Sequence, residues 1–132
     1  MEGMRTIRRV SSRGGKRADL GIYVRSSMEA NIARYLIFMM KQGEIIRWYY
    51  EPKNVEFEFP VKKGSRFYKP DFVITWKSGK VEYWEVKGYM DAKSQTKLKR
   101  MAKYYPEIKI VVIDQKQYRA IGKWAKLIKN WE

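Results

Sequence analysis

Acidic residues at three places in the chain, with one lysine, have the types and spacing that metal-assisted phosphate chemistry requires. Asp71 is followed fourteen residues later by Glu85 and sixteen residues later by Lys87, and Glu29 lies in an earlier segment. Two carboxylates held close together can bind a hard cation such as Mg²⁺, and without a cation they repel each other. The chain contains no His and no Cys. Imidazole chemistry, a thiolate nucleophile, a disulfide framework and a Cys-ligated zinc site are therefore excluded.

The turn after the strand that carries Asp71 decides whether the two carboxylates share one face of a β-hairpin. If Ser78-Gly79 forms a two-residue loop, Asp71 lies opposite Val86. Glu85 then points to the other face, because side chains alternate along a strand.

A three-residue loop over 77–79 gives a different register. It places Gly79 in the left-handed third position that such loops favour, and Asp71 then lies directly opposite Glu85. Directly opposed residues have Cβ atoms about 4.5–5.5 Å apart, which is close enough for two carboxylates to share one Mg²⁺. Lys87 falls on the same face. The glycine position favours this loop, but the sequence leaves both registers open.

Glu29 has two interpretations. Ser26-Ser27-Met28-Glu29 has the pattern of a capping box, in which Glu29 would be the third residue of a helix and would cap its start. Glu29 also lies beside the apolar stripe of that helix, where it could face a metal site. The sequence does not choose between cap and ligand.

The elements that must position these residues follow from the periodicity of the apolar residues. Gly43 ends the first helical pattern, Pro52 ends the first strand pattern, and Pro106 follows the second helical pattern. The predicted order is α-β-β-β-β-α-β-α, an α/β fold in which helices flank a mixed central sheet. The predicted ranges are a helix over 26–42, strands over 47–51, 55–59, 68–76 and 81–86, a helix over 91–105, a strand over 108–113, and a last helix from about 116.

The charge of the chain indicates a polyanionic partner. Its 132 residues include 29 Lys and Arg against 14 Asp and Glu, a formal net charge of +15. The net charge is +5 over 1–25, +3 over 26–90 and +7 over 91–132. Nucleic acid is the first candidate and an anionic membrane surface the weaker one. The middle part holds eight carboxylates, and in a protein that binds phosphates these favour a bound divalent cation.

Residues 1–25 are rich in Gly, Ser and basic residues and lack periodicity, so we interpret them as a flexible basic arm, or as a merely solubilising terminus. The basic stripe on the second predicted helix is either a solvated face or a contact for the DNA backbone. The residues expected to bind nucleic acid are Arg8, Arg9, Arg13, Lys16, Arg17, Lys97, Lys99, Arg100 and Lys103.

Pro70-Asp71 and Glu85-Val86-Lys87 match the namesake motif of the PD-(D/E)XK nuclease superfamily, and the chain resembles that superfamily over roughly residues 26–113. A helix with an acidic residue before the hairpin, and a basic amphipathic helix and a strand after it, follow the core order of the superfamily. The chain looks most like phage-type endonucleases, including junction-resolving and nicking types, and like small nucleases of the VRR kind. The resemblance implies a restriction-endonuclease-like fold for 26–132 and Mg²⁺-dependent hydrolysis of DNA, with Mn²⁺ able to substitute.

Carried over residue by residue, the resemblance implies that Asp71 and Glu85 bind the metal ion and that the Val86 carbonyl adds a ligand. Lys87 would position the attacking water or stabilise the transition-state phosphate, and Glu29 would complete the metal site. The superfamily often has an auxiliary polar residue on the next helix, where this chain has Gln95 or Lys97.

The expected function is a metal-dependent DNA endonuclease that nicks DNA or recognises a branched structure. The alternative is a non-catalytic basic module that binds DNA or RNA. Cutting two strands usually needs two active sites, which a homodimer would supply. The longest apolar run, 35–40, is far shorter than the roughly 18–20 residues of a membrane span, and no signal-peptide pattern follows the basic start. A cytoplasmic location, including that of a phage-infected host, is expected.

Overall fold

A mixed four-stranded β-sheet forms the centre of the computed structural model, which describes residues 13–132. In chain order, the elements are β1 (Gly15–Arg17), β2 (Ile22–Val24), α1 (Ser27–Lys41), β3 (Ile45–Tyr50), β4 (Phe57–Glu58), β5 (Phe67–Tyr68), β6 (Phe72–Trp76), β7 (Val81–Val86), α2 (Ala92–Tyr104), β8 (Ile110–Ile113), α3 (Gln115–Ile121) and a 3₁₀ helix (Gly122–Leu127).

The spatial order of the central sheet is β3-β6-β7-β8. The first three strands pair antiparallel, and β8 pairs parallel to β7 after the connection through α2. The predicted α/β class with a mixed sheet is confirmed. None of the helices within residues 13–132 combines the length and the apolar character that a membrane crossing requires.

The turn between β6 and β7 is the three-residue loop. The Trp76 amide donates to the Lys80 carbonyl over 2.8 Å, and the Gly79 amide donates to the Trp76 carbonyl over 2.8 Å. Gly79 has a φ of +92°, a left-handed conformation that strains any residue with a Cβ. The sequence had left the choice of loop open, and the register that the glycine position favours is the one that forms.

The two faces of the central sheet carry separate cores. On one face, Ile32 and Leu36 of α1 pack against Phe72, Ile74 and Ile113. All five side chains are at most 4% exposed, and burial of each contributes about 1.5–3 kcal/mol.

The second core contains Phe59, Tyr68 and Met101 of α2, so α2 and the small β4–β5 sheet cover the other face. Phe57 contacts the ring of Tyr83, with ring centroids 5.8 Å apart, and this contact ties β4 to β7. The side chain at position 83 and the one at position 85 lie on this face, because they are two residues apart on one strand.

The amino-terminal part of the described chain differs from the prediction. Residues 15–24 form an antiparallel hairpin of β1 and β2, and Val24 is fully buried. Arg17 Nε lies 2.7 Å from Glu132 Oε2. The prediction of a flexible arm is therefore wrong for this hairpin. Three-residue strands show no periodicity, and the partner of Arg17 lies 115 residues away in the sequence.

Three element boundaries also differ from the predicted ranges. The strand predicted over 68–76 is interrupted between β5 and β6 at Pro70, which has no amide hydrogen to donate. The predicted strand over 55–59 contains only the two residues of β4, and the last helix continues after Ile121 as a 3₁₀ helix. From residue 26 onward the chain thus has one strand more than the predicted order.

Candidate active site

Asp71 and Glu85 lie at the same end of the β6–β7 pair. The regular pairing ends with Phe72 and Trp84, because the Asp71 amide donates over 3.0 Å to the carbonyl of Trp84, the residue that already pairs with Phe72. Asp71 is half-buried and Glu85 is 8% exposed. The charge of Glu85 is close enough to raise the pKa of Asp71, so the two carboxyl groups lie near each other as predicted. The regular ladder that would place them directly opposite each other does not extend to Asp71.

Each carboxylate is oriented by one hydrogen bond from the protein. Asp71 Oδ2 accepts from the Val86 amide over 2.7 Å. Glu85 Oε1 accepts from the hydroxyl of Tyr68 over 2.8 Å, and Tyr68 is itself held in the second core. Each group has a second oxygen that neither of these bonds occupies.

The surroundings oppose ionisation of both groups. Burial raises the pKa of the Asp71 carboxyl, and the negative charges of Glu85 and Glu29 raise it further. Burial also raises the pKa of Glu85, although the Tyr68 hydrogen bond and the nearby positive charge of Lys87 lower it. A pair of this kind retains a proton at higher pH than usual, or it is neutralised by a cation.

Two lysines supply positive charge on the Glu85 side of the pair. Lys87 Nζ lies 4.0 Å from Glu85 Oε2. The Lys87 amide donates to the Ile113 carbonyl over 3.0 Å, which continues the β7–β8 pairing past the end of β7. Lys97 on α2 is close enough for its charge to lower the pKa of Glu85. The predicted placement of Lys87 beside Glu85 is confirmed.

Glu29 forms the contacts of a helix start. The Ser26 hydroxyl accepts from the Glu29 amide over 3.1 Å, as a capping box requires. The Glu29 carboxylate does not return the bond to Ser26. Its Oε1 accepts instead from the Arg25 amide over 3.3 Å and from the hydroxyl of Tyr50. Burial raises the pKa of Glu29, and the Tyr50 bond opposes that effect.

Glu29 lies on the α1 side of the sheet, where its partner Tyr50 contacts the ring of Phe72. Within residues 13–132, no group of three or more acidic, His or Cys side chains is placed to hold a metal ion. The negative charge of Glu29 raises the pKa of both Asp71 and Glu85.

Two of the residues expected to bind nucleic acid are engaged within the fold. Arg17 pairs with Glu132 over 2.7 Å and its side chain is 14% exposed, so the guanidinium that was expected to contact DNA is engaged inside the fold. Arg100 Nη1 donates to the Ser65 carbonyl over 2.5 Å and to the Lys63 carbonyl over 3.3 Å, and it thereby holds the loop between β4 and β5 against α2. Guanidinium groups used in this way contribute net charge but not a free phosphate contact.

The other predicted basic residues that lie within 13–132 are open to solvent or half-buried. Lys103 lies with Nζ 5.2 Å from the ring centroid of its neighbour Tyr104. Gln95, the auxiliary candidate, is exposed on α2. Arg8 and Arg9 lie outside the described residues. Exposed residues of the predicted set are Arg13, Lys16, Lys99 and Lys103, and Lys97 is half-buried.

Tyr68 is the site residue that sequence reasoning missed. It belongs to a strand-like aromatic run, where a tyrosine usually packs in the core, and Tyr68 does pack there as well. The break at Pro70 moves Tyr68 from the central sheet to β5 and brings its hydroxyl over Glu85. Only its position three residues before Asp71 could have indicated a role.

No protein-family model matches the chain, and neither a curated protein nor a solved structure matches it. The function must therefore be argued from the geometry and electrostatics of the carboxylate pair.

Proposed function

We propose that the chain is a metal-dependent DNA endonuclease of the restriction-endonuclease-like type, with Asp71, Glu85 and Lys87 at its active site. The observation that carries this proposal is the pair of desolvated carboxyl groups, Asp71 and Glu85, at one end of the β6–β7 hairpin, with the Lys87 ammonium 4.0 Å from Glu85. Perturbed carboxyl groups that converge in this way are typical of functional sites. The antiparallel hairpin followed by α2 and the parallel strand β8 agrees with the core order that the proposed type requires.

The pair fits a divalent cation better than it fits a structural role. Mg²⁺ is ordinarily held by one or two protein carboxylates and completes its shell with water and substrate phosphate oxygens. Asp71 and Glu85 each use one oxygen for a protein hydrogen bond, which leaves the other oxygen for a cation. A cation would also offset the repulsion and burial that raise the pKa of both groups.

When bound, Mg²⁺ or Mn²⁺ would lower the pKa of a coordinated water and offset negative charge on the reacting phosphate. The other contributions come from the chain. Tyr68 fixes the orientation of Glu85 and favours its ionised form. The ammonium of Lys87, 4.0 Å from Glu85, provides a fixed positive charge where the phosphate oxygens gain charge. No proton transfer to imidazole is required.

The charge of the chain supports DNA as the substrate. A net charge of +15 favours a phosphate backbone, and the counterions released on binding would make affinity fall steeply with salt. Lys16 and Lys99 are exposed and, among residues 13–132, have no ion pair such as the one that engages Arg17.

The decisive experiment measures cleavage and metal binding in the same samples. The parent, Asp71→Asn and the control Glu56→Gln, an exposed carboxylate, are incubated with linear, nicked, supercoiled and branched DNA and Mg²⁺ or Mn²⁺. We expect the parent and the control to cut at least one substrate and Asp71→Asn to cut none.

Thermal unfolding gives an independent measurement. A saturating cation should stabilise the parent by about 2.7 kcal/mol at a hundredfold excess over Kd, but should not stabilise Asp71→Asn. In chelator, where no cation is bound, Asp71→Asn should be more stable than the parent. Because burial and repulsion raise the pKa of Asp71, its ionised form destabilises the fold as pH rises, so Asp71→Asn should melt higher than the parent at neutral pH. A parent that neither cuts DNA nor gains stability from either cation would be a non-catalytic binding module.

A further inference from the structure

A groove lies between the end of the β4–β5 loop and the first two turns of α2. It has a volume of about 660 Å³, within the range of small-ligand sites, and is open to solvent along one side. The residues that give it its character are Arg66, Phe67, Lys93, Thr96 and Lys97. It is therefore a basic groove with one aromatic ring in its wall.

Lys97 connects the groove to the carboxylate pair, because it lines the groove and its charge is close enough to lower the pKa of Glu85. Phe67 is the chain neighbour of Tyr68, whose hydroxyl donates to Glu85 over 2.8 Å, but the two rings lie on opposite faces of β5. A strand of nucleic acid whose phosphate lies at the carboxylates would continue into this groove on the Glu85 side.

Phe67 is an exposed apolar ring in a basic setting. It is 45% exposed, although its neighbour Tyr68 is almost completely buried. The guanidinium of Arg66 lies 5.6 Å from its ring centroid. Arg66 is also paired with Glu58 over 2.8 Å, so the cationic side chains of the groove that form no ion pair with a residue of 13–132 are Lys93 and Lys97.

We propose that this groove binds a short unpaired segment of single-stranded DNA beside the phosphate to be cut, with Phe67 stacked on a base and Lys93 and Lys97 against the backbone. The inference rests on the proposed nuclease function, which fixes where the reacting phosphate lies. It adds the substrate class, which is DNA that is single-stranded next to the cleavage position, as at a flap, a frayed end or a branch.

Base stacking explains why an unpaired strand fits better than a duplex. In a duplex, each base is covered by its neighbours and offers only its edge, so Phe67 would gain only a sugar or phosphate contact. An unpaired base offers its flat face, and an aromatic ring beside basic side chains is the combination that binds single strands without sequence preference.

The test measures binding without cleavage. The affinity of the full chain for a 12-nucleotide DNA strand, for the same sequence as a duplex, and for the matching RNA strand is measured by fluorescence anisotropy in chelator. Phe67→Leu keeps an apolar side chain but removes the aromatic face, and Phe67→Ala removes both. The control is Tyr49→Ala, which removes an aromatic ring that is 53% exposed on the edge strand β3, two strands from β7.

We expect both Phe67 variants to bind the DNA strand roughly tenfold more weakly, which corresponds to about 1.4 kcal/mol. Duplex affinity should change less than twofold, and Tyr49→Ala should match the parent. Lys93→Ala should reduce the slope of log affinity against log salt on the single strand by about 0.7. Equal losses on strand and duplex, no loss on either, or tighter binding of RNA than of DNA by the parent would overturn the inference.

Failure of the inference can be separated from failure of the proposed function. If the parent cuts DNA with Mg²⁺ but the Phe67 variants bind the single strand as tightly as the parent, the groove proposal is wrong and the nuclease proposal is kept. If the parent cuts no substrate but the Phe67 variants lose affinity only for the single strand, the groove is a single-strand binding site and the nuclease proposal is wrong. Thermal melting of each variant checks that the exposed substitution leaves the fold intact.

Discussion

Glu132 is expected to be one of the most important single side chains for stability, although it lies far from the carboxylate pair. Its carboxylate accepts from Arg17 Nε over 2.7 Å, from Arg34 Nη1 over 2.8 Å and from the Ser27 hydroxyl over 2.8 Å. Burial acts to raise the pKa of Glu132, but these hydrogen bonds and charges lower it to about 2. Arg34 is only 5% exposed and keeps Asp19 as its other partner.

The magnitude follows from the linkage between protonation and folding. A carboxyl with a pKa of about 2 in the folded chain and 4.5 in the unfolded chain contributes about 3 kcal/mol at neutral pH. The side chain is 18% exposed, so solvent screening reduces this value modestly, to about 2–3 kcal/mol. Glu132→Gln should therefore lower the free energy of unfolding by that amount and the Tm by about 10 °C.

The pH dependence gives the sharper test. A depressed carboxyl pKa means that the contribution is complete above pH 4.5 and is lost as pH falls through about 2. The difference in urea stability between parent and Glu132→Gln should thus be full at pH 7 and shrink steadily below pH 4.5. The matched control is Glu58→Gln in the Arg66 pair, where both side chains are more than half exposed and a change below about 0.5 kcal/mol is expected. A Glu132→Gln variant as stable as the parent at pH 7, or a difference that persists unchanged at pH 2, would refute the reasoning.

Three further predictions concern the candidate site. Lys87→Ala should reduce the cleavage rate about 10²–10³-fold in single-turnover assays, because a fixed positive charge at the reacting phosphate is lost. DNA affinity should change little, because Lys87 is one of 29 basic residues. Unchanged cleavage would show that Lys87 is not part of the site. Tyr68→Phe removes a hydrogen bond that lowers the pKa of Glu85, so the acid limb of the pH–rate profile should move to higher pH, and an unmoved limb at unchanged stability would contradict this role. Glu29→Gln should still cleave at limiting Mg²⁺. The acid limb of its pH–rate profile should shift to lower pH, because the negative charge that raises the pKa of Asp71 is removed. If cleavage is lost and excess Mg²⁺ restores it, Glu29 is a metal ligand.

The part of the site that could be predicted from the sequence is the part that local rules determine. Gly79 favours a three-residue loop, and that loop sets the hairpin register as far as Phe72 and Trp84. This register brings Asp71 and Glu85 to the same end of the hairpin. Likewise, the apolar spacing and Ser26 predicted a helix over 26–42, and α1 begins and ends within one residue of those limits.

What the sequence did not predict depends on contacts between distant segments. Arg17 looks like one more basic residue of an amino-terminal arm until Glu132 is placed beside it. The hydroxyl of Tyr68 reaches Glu85 only because the chain leaves one sheet and enters another at Pro70. Glu29 fits two local interpretations equally, and neither of them predicts its bond to Tyr50, which is 21 residues away in the sequence.

The fold surrounds Glu132 with positive charge but leaves the Asp71–Glu85 pair with little, and this difference supports the proposed function. At Glu132, the fold brings two guanidinium groups within 2.8 Å and lowers the pKa of the carboxyl. At Asp71 and Glu85, a chain with an excess of 15 positive charges supplies, among residues 13–132, one ion pair, with Lys87 at 4.0 Å, and the pKa of both carboxyls is raised. The fold thus leaves two neighbouring carboxylates short of positive charge while it retains the stability cost, and this supports the proposal that an external cation completes the site.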